Sequence, residues 1–142
     1  MLNDIYNAKI LELAGNIPLC ERLEDADGTA VQHSKLCGSK VTVDLNMVDG
    51  VVAEYGQDVK ACALGQAACS IMAQNVVGST PQELMIVRDQ VRAMLKEDGA
   101  PPEGKWADIA ALQPVKDIKA RHPSTMLVFD AVCEAVSVKE TV

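Results

Sequence analysis

Apolar and polar side chains alternate along residues 40–47, and this period of two indicates a half-buried β-strand. Asp49-Gly50 follows and favours a tight turn, after which residues 51–59 can return as the partner strand. The pattern therefore predicts a β-hairpin whose inward face must be covered by other elements. A further short strand over residues 32–36 has weaker support.

Apolar residues recur at helical spacing, i, i+3 and i+4, both before and after the hairpin. A glycine and a proline stop the first such stretch. Residues 80–83, Thr-Pro-Gln-Glu, have the residue types of a capping box and start a later one. The predicted helices are residues 2–14, 64–77, 81–97, 106–112 and 124–136.

These elements predict an α+β fold and a single domain over residues 1–142. Only four residues are aromatic, so the core must be built from aliphatic side chains. Residues 21–34 are polar and acidic, and they predict a mobile connection with little core of its own.

The formal net charge of −7 argues against nucleic-acid binding, which depends on Lys and Arg side chains that displace counterions from phosphates. A protein partner or a metal is the better expectation. No apolar run approaches the roughly 20 residues of a membrane span, and the first residues lack the pattern of a signal peptide. We therefore expect a cytoplasmic protein that does not enter a membrane.

Five cysteines without a disulfide-framework spacing predict reduced thiols. Free cysteines are among the residues most often buried, and Cys20, Cys69 and Cys133 are assigned to packing. Cys69 follows Cys62 by seven residues, roughly 10 Å along a helix, so the two cannot share one metal ion.

Cys37 and Cys62 flank the predicted hairpin on its open side. Cys37 is followed by Gly38, which allows a tight bend, and Cys62 precedes a helix whose first N–H groups favour a thiolate. Because closure at Asp49-Gly50 brings the first strand's start near the second strand's end, the two thiols are expected to be neighbours. Spacing alone makes them a weak metal-site signal.

The order of several short motifs resembles the IscU/SufU-type iron-sulfur assembly proteins, also called the NifU N-terminal family. The motifs are Leu2-Asn3-Asp4-Ile5-Tyr6, Leu36-Cys37-Gly38, Asp49-Gly50, Cys62 before a small-residue helix, Gly78-Ser79-Thr80 and Pro114-Val115-Lys116. An inserted loop and helix over residues 100–112 resemble the SufU branch. The resemblance implies a small antiparallel sheet of about three strands with helices packed on one face.

The resemblance carries ligands over with two departures. Cys37 and Cys62 match the first two cysteine ligands, whereas Ser39 replaces the family's aspartate and Ser124 replaces its third cysteine. A serine hydroxyl is a poor ligand for zinc or iron, so a metal would need other groups to complete its shell. Those groups are water, the thiolates of a second chain in a homodimer, or a histidine of this chain.

Two residues just before Ser124 complete the candidate set. Arg121 matches a family arginine and would help to dock a partner or stabilise charge. His122 lies one position from a family ligand, and we weigh a third-ligand role against a surface histidine near a helix start. His33 lies in the polar connection and is expected to be solvated.

Three functions stay open, none of them an enzyme in the usual sense. The first is a scaffold or carrier that holds iron or a [2Fe-2S] cluster through Cys37 and Cys62, with zinc as another metal to consider. The second is a persulfide acceptor for a cysteine desulfurase, which needs only one reactive thiolate. The third is a metal-free paralogue that regulates a true scaffold. The expected partners are a desulfurase and cluster-accepting apoproteins.

Overall fold

The computed structural model describes residues 8–34 and 38–140. Its sheet contains three antiparallel strands in the order β1-β2-β3. The strands are β1 (Gly28–His33), β2 (Lys40–Val48) and β3 (Val51–Lys60). The expected three-stranded antiparallel sheet is confirmed, but β1 begins at Gly28, four residues before the predicted strand at residues 32–36, and it ends at His33.

The predicted hairpin joins β2 to β3. Val48 pairs with Val51 across a two-residue turn, in which Asp49 and Gly50 have φ values of 54° and 81°. Positive φ at both positions suits the twist of a two-residue hairpin, which explains the Asp-Gly sequence. At the other end Lys40 pairs with Lys60, so the start of β2 and the end of β3 lie side by side as expected.

The helices largely follow the predicted order. They are α1 (Ala8–Gly15), α2 (Ala63–Asn75), α3 (Pro81–Lys96) and α4 (His122–Glu140), with 3₁₀ segments at Gly104–Asp117 and Lys119–Arg121. The predicted short helix at residues 106–112 is a longer 3₁₀ segment, and the first part of the predicted helix 2–14 lies outside the described residues. Within the described part of the chain, no helix is long and apolar enough to cross a bilayer.

The core lies between the sheet and α4. Val41, Val43 and Leu45 share one face of β2 and are fully buried. Thr42 and Asp44 on the other face are buried as well, so the prediction of a half-buried strand was wrong. Helix α4 packs on β1 and β2 and also on α2 and α3, which makes it the centre of the helical layer. Its Phe129 is the largest of the fully buried side chains, and its neighbours in the core are mostly aliphatic.

Residues 21–34 are more ordered than expected, because they contain β1 and part of a cover for β2. The Asp44 carboxylate in β2 is fully buried and accepts hydrogen bonds from the Arg22 guanidinium, the Leu23 backbone N–H and the Thr29 hydroxyl. Burial raises the pKa of Asp44, but these hydrogen bonds and the Arg22 charge lower it by more. The pKa of Asp44 is therefore below its usual value. The prediction of a mobile connection was wrong because this pairing depends on residues far apart in sequence.

Only half of the predicted capping box forms at the start of α3. The Thr80 hydroxyl accepts a hydrogen bond of 3.1 Å from the Glu83 backbone N–H, as predicted. The Glu83 carboxylate, however, does not close the box and accepts a 2.8 Å hydrogen bond from the Trp106 indole. Lys105 forms an ion pair with the same carboxylate at 2.9 Å. Glu83 therefore anchors the 3₁₀ segment to α3.

Candidate functional site

Cys62 lies between β3 and α2 and occupies the N-cap position of the helix. Its backbone is extended, with φ −69° and ψ 171°, and its side chain makes no capping hydrogen bond. The thiol is free and half-buried. The first N–H groups of α2 lie next to it, and the positive end of the helix dipole favours negative charge there. The predicted position of Cys62 is confirmed, and its ligand role stays a prediction.

Ser124 lies in the first turn of α4, directly beside Cys62. The Cys62 Sγ is 3.5 Å from the Ser124 Oγ, although the residues are 62 positions apart. The Ser124 hydroxyl donates to the Arg121 carbonyl at 3.1 Å, which leaves its lone pairs facing the thiol. Ser124 is 1% exposed, so this neighbour relation is fixed inside the protein. The position that matches the family's third cysteine thus lies beside Cys62, where a third ligand could reach the same metal.

Gly65 permits this close approach of α2 and α4. A Cβ atom at Gly65 would lie 2.8 Å from the Ala61 Cβ and 3.2 Å from the Ser124 backbone oxygen. A side chain at Gly65 would therefore require Ala61 to shift and would press on the start of α4 at Ser124. Gly65 was not among the predicted site residues. The signal for it was a glycine in the first turn of a helix, where glycine lowers helix propensity.

The turn before β2 holds Ser39. The Gly38 N–H donates to the Ser34 carbonyl, and the Ser34 N–H donates to the Ser39 carbonyl, both at 2.9 Å. Gly38 has φ +73°, a conformation that glycine adopts without strain. Ser39 is 3% exposed. Cys37, the other predicted ligand, lies outside the described residues.

His122 is buried at the first position of α4, so the alternative of a surface histidine was wrong. Its Nε2 lies 3.0 Å from the Val115 carbonyl oxygen and 3.1 Å from the Lys116 carbonyl oxygen. Because carbonyls only accept, Nε2 must carry a proton, and Nδ1 is the ring atom left for a metal. A step of 100° per helical residue turns His122 and Ser124 to nearly opposite sides of α4.

Arg121 lies at the end of the short 3₁₀ segment and is half-buried. Its backbone carbonyl accepts from the hydroxyls of both Ser124 and Thr125, at 3.1 and 2.9 Å. Its guanidinium forms no ion pair with another described residue. This arrangement supports the position of Ser124, while the predicted docking role of Arg121 stays a prediction.

The remaining described cysteines differ from Cys62 in position or chemistry. Cys69 and Cys133 are buried as expected, and burial raises the pKa of both thiols, that of Cys133 to about 11. Such thiols are inert at neutral pH. Cys20 is exposed, so its assignment to packing was wrong, and partial burial followed by the Asp58 charge raises its pKa. Among the described residues, no group of three His, Cys, Asp or Glu side chains could hold a metal ion.

Comparison with known proteins places the fold and the motifs in one family. No protein-family model matches the chain. It is 25% identical over 134 residues to the "Iron-sulfur cluster assembly scaffold protein IscU" of Thermotoga maritima, covering 93% of this chain and 92% of that one. The crystal structure of FiSufU, a SUF-system protein of Fervidobacterium islandicum AW-1, has a TM-score of 0.86 with this chain at 19% sequence identity. The match covers 94% of this chain and 98% of that one. The likeness to the Fervidobacterium structure shows that the two chains share a fold.

A nearer relative is the N-terminal NifU-like protein of Brucella abortus, described as nitrogen-fixing. Its crystal structure is 53% identical in sequence, with a TM-score of 0.96. The match covers 99% of this chain and 97% of that one. The chain therefore belongs to the IscU/NifU-like N-terminal family.

Proposed function

We propose that this protein is a scaffold or carrier in iron-sulfur cluster assembly, with Cys62 and Cys37 as its own ligands. The observation that carries the proposal is the pair of Cys62 and Ser124 at 3.5 Å, where two helix starts meet. The similarity to a protein named as the IscU scaffold supports the same role. Iron and sulfide are the cargo of this function.

The donor groups suit a cluster that is held weakly and passed on. Cys62 is accessible enough to bind iron, whereas the Ser124 hydroxyl is a poor ligand and already donates to a backbone carbonyl. A [2Fe-2S] cluster takes four thiolates, and one chain offers two if Cys37 takes part. We propose that a second chain, or the cluster-accepting apoprotein, supplies the others. Zinc would compete for the same thiolates.

Sulfur acceptance from a cysteine desulfurase is a second candidate, favoured by the position of Cys62 as a half-buried thiol at a helix N-terminus. In this step the Cys62 thiolate attacks the outer sulfur of the donor's persulfide. A new S–S bond forms at Cys62, the donor's S–S bond breaks, and the electron pair leaves on the donor's cysteine sulfur. No outside oxidant or reductant is required, and one thiolate is sufficient.

Anaerobic reconstitution with iron and sulfide tests the scaffold role. Wild type should take up metal and develop a cluster absorption band, and Cys62→Ser and Cys37→Ser should lose both. Cys20→Ser is the matched control, because Cys20 is exposed and belongs to no predicted site. Uptake by wild type no greater than by Cys62→Ser would rule out the scaffold role.

Labelled sulfur tests the second candidate separately. A desulfurase charged with labelled persulfide should transfer the label to Cys62 of the metal-free protein, with no transfer to Cys62→Ser. Label that stays on the desulfurase would exclude sulfur acceptance. Negative results in both experiments would leave the metal-free regulatory paralogue as the remaining hypothesis.

A further inference from the structure

A groove lined by basic side chains lies on the side of α4 away from Cys62. Two adjoining recesses of about 450 and 290 Å³ share Lys96, His122 and Pro123. Lys116 and Lys119 line one recess and Arg92 lines the other. We call this surface the basic groove.

The charge of the basic groove is opposite to that of the protein. Among the described residues, four cations and one carboxylate, that of Asp130, line it, whereas the whole chain has a net charge of −7. Arg92 binds this carboxylate at 3.2 Å, and Lys116 is paired with Asp98 at 2.6 Å. Lys96 and Lys119 are exposed and form no ion pair with any other described residue. The charge of Lys96 also acts on Asp130, but neither lysine is held in an ion pair, so both can bind an added anion.

The floor of the groove is apolar. Leu95 lies under one recess, and Met126 and Leu127 lie under the other, each no more than 6% exposed. An apolar floor between ammonium groups suits a peptide segment, whose methylene groups pack while its carboxylates pair with lysine. A nucleic acid would instead need a broad basic surface, which a net charge of −7 opposes.

The groove is connected to the thiol site through the backbone. Pro123 lines the groove, and the next residue, Ser124, touches the Cys62 thiol at 3.5 Å. A segment seated in the groove would therefore hold its own protein beside the start of α4. A protein that exchanges sulfur or a cluster with Cys62 must approach this part of the molecule.

From this geometry we propose that the basic groove docks an acidic, Asp- or Glu-rich segment of the protein that exchanges sulfur or a cluster at Cys62. The proposal rests on the proposed function for the identity of that protein, but the groove can be tested without it. Carboxylates would bind Lys96 and Lys119, and the attraction should weaken as salt screens exposed charges.

The test uses the metal-free full chain labelled with ¹⁵N and an acetylated, amidated peptide of alternating Glu and Ala residues. The peptide should shift the backbone amide signals of Lys96, Lys119 and the residues next to Pro123. Binding should weaken as the salt concentration rises from about 50 to 300 mM. Lys96→Glu/Lys119→Glu should weaken binding at least about fivefold. Lys9→Glu/Lys60→Glu changes the net charge equally at residues that line neither recess, and it should bind like wild type.

Several results would overturn the proposal. They are no shift with the glutamate peptide, equal shifts with its Gln-Ala counterpart, or equal weakening by both double variants. Equal or tighter binding of tripolyphosphate or single-stranded DNA would reassign the groove to phosphate. Because peptide binding is measured without metal, it can fail while Cys62 still takes up iron, and the reverse result is equally visible.

Discussion

Replacing Ser124 by Cys should restore a third thiolate beside Cys62. Two sulfur atoms in a tetrahedral zinc site lie about 3.8 Å apart when each Zn–S bond is about 2.3 Å. The Cys62 Sγ and Ser124 Oγ are 3.5 Å apart, so a sulfur at this position is close to the required edge length. The substitution therefore tests whether the site keeps the shape of a three-cysteine site.

The gain in affinity should be large and the loss in stability small. Structural zinc sites with four ligands bind with about 10–16 kcal/mol, roughly 3 kcal/mol per ligand, so a third thiolate should tighten binding about 100-fold. The free energy of unfolding should fall by only about 1 kcal/mol. The substitution removes the Ser124 hydrogen bond to the Arg121 carbonyl, but Thr125 still donates to the same carbonyl.

Anaerobic Co²⁺ titration measures this effect, because tetrahedral thiolate sites show visible d–d bands and zinc competition then gives the affinity. Thr125→Cys is the matched control, since the next position on α4 is turned by 100° and should not complete the site. Adding Cys37→Ser to Ser124→Cys should reverse the gain if Cys37 is a ligand. Equal cobalt affinity for wild type and Ser124→Cys would refute the inferred geometry.

Two further substitutions test the surroundings of the site. Gly65→Ala should destabilise the fold by about 1–3 kcal/mol in thermal denaturation. Gly15→Ala is the control and should not, because a Cβ atom at Gly15 meets no atom within 4 Å. Equal effects of the two substitutions would contradict tight packing at Gly65. Asp44 has a lowered pKa in the folded state, so its stabilising effect is complete above its unfolded pKa of about 3.9 and is lost as pH falls through the lower folded pKa. Asp44→Asn should be less stable than wild type at pH 7 and should lose less stability on acidification. If the free energies of unfolding of the two proteins fell in parallel with pH, the stabilising role of the Asp44 carboxylate would be excluded.

Local patterns predicted most elements because their causes are local. The strand over residues 40–47, the Asp49-Gly50 turn and the Thr80 cap each depend on neighbours within a few positions, and all three were confirmed. The Glu83 side chain shows the limit of such patterns. Its predicted reach back to the helix start competes with Trp106, 23 residues later, and the distant indole is the partner that forms.

Periodicity and capping act over short distances, so the hairpin, the helix order and the position of Cys62 between a strand and a helix could be read from the residues alone. Three relations could not: Ser124 touches Cys62 across 62 residues, Gly65 leaves room for the contact, and the His122 ring faces backbone carbonyls. These relations depend on how α2 and α4 pack, and close packing of distant segments leaves no period or motif in the sequence.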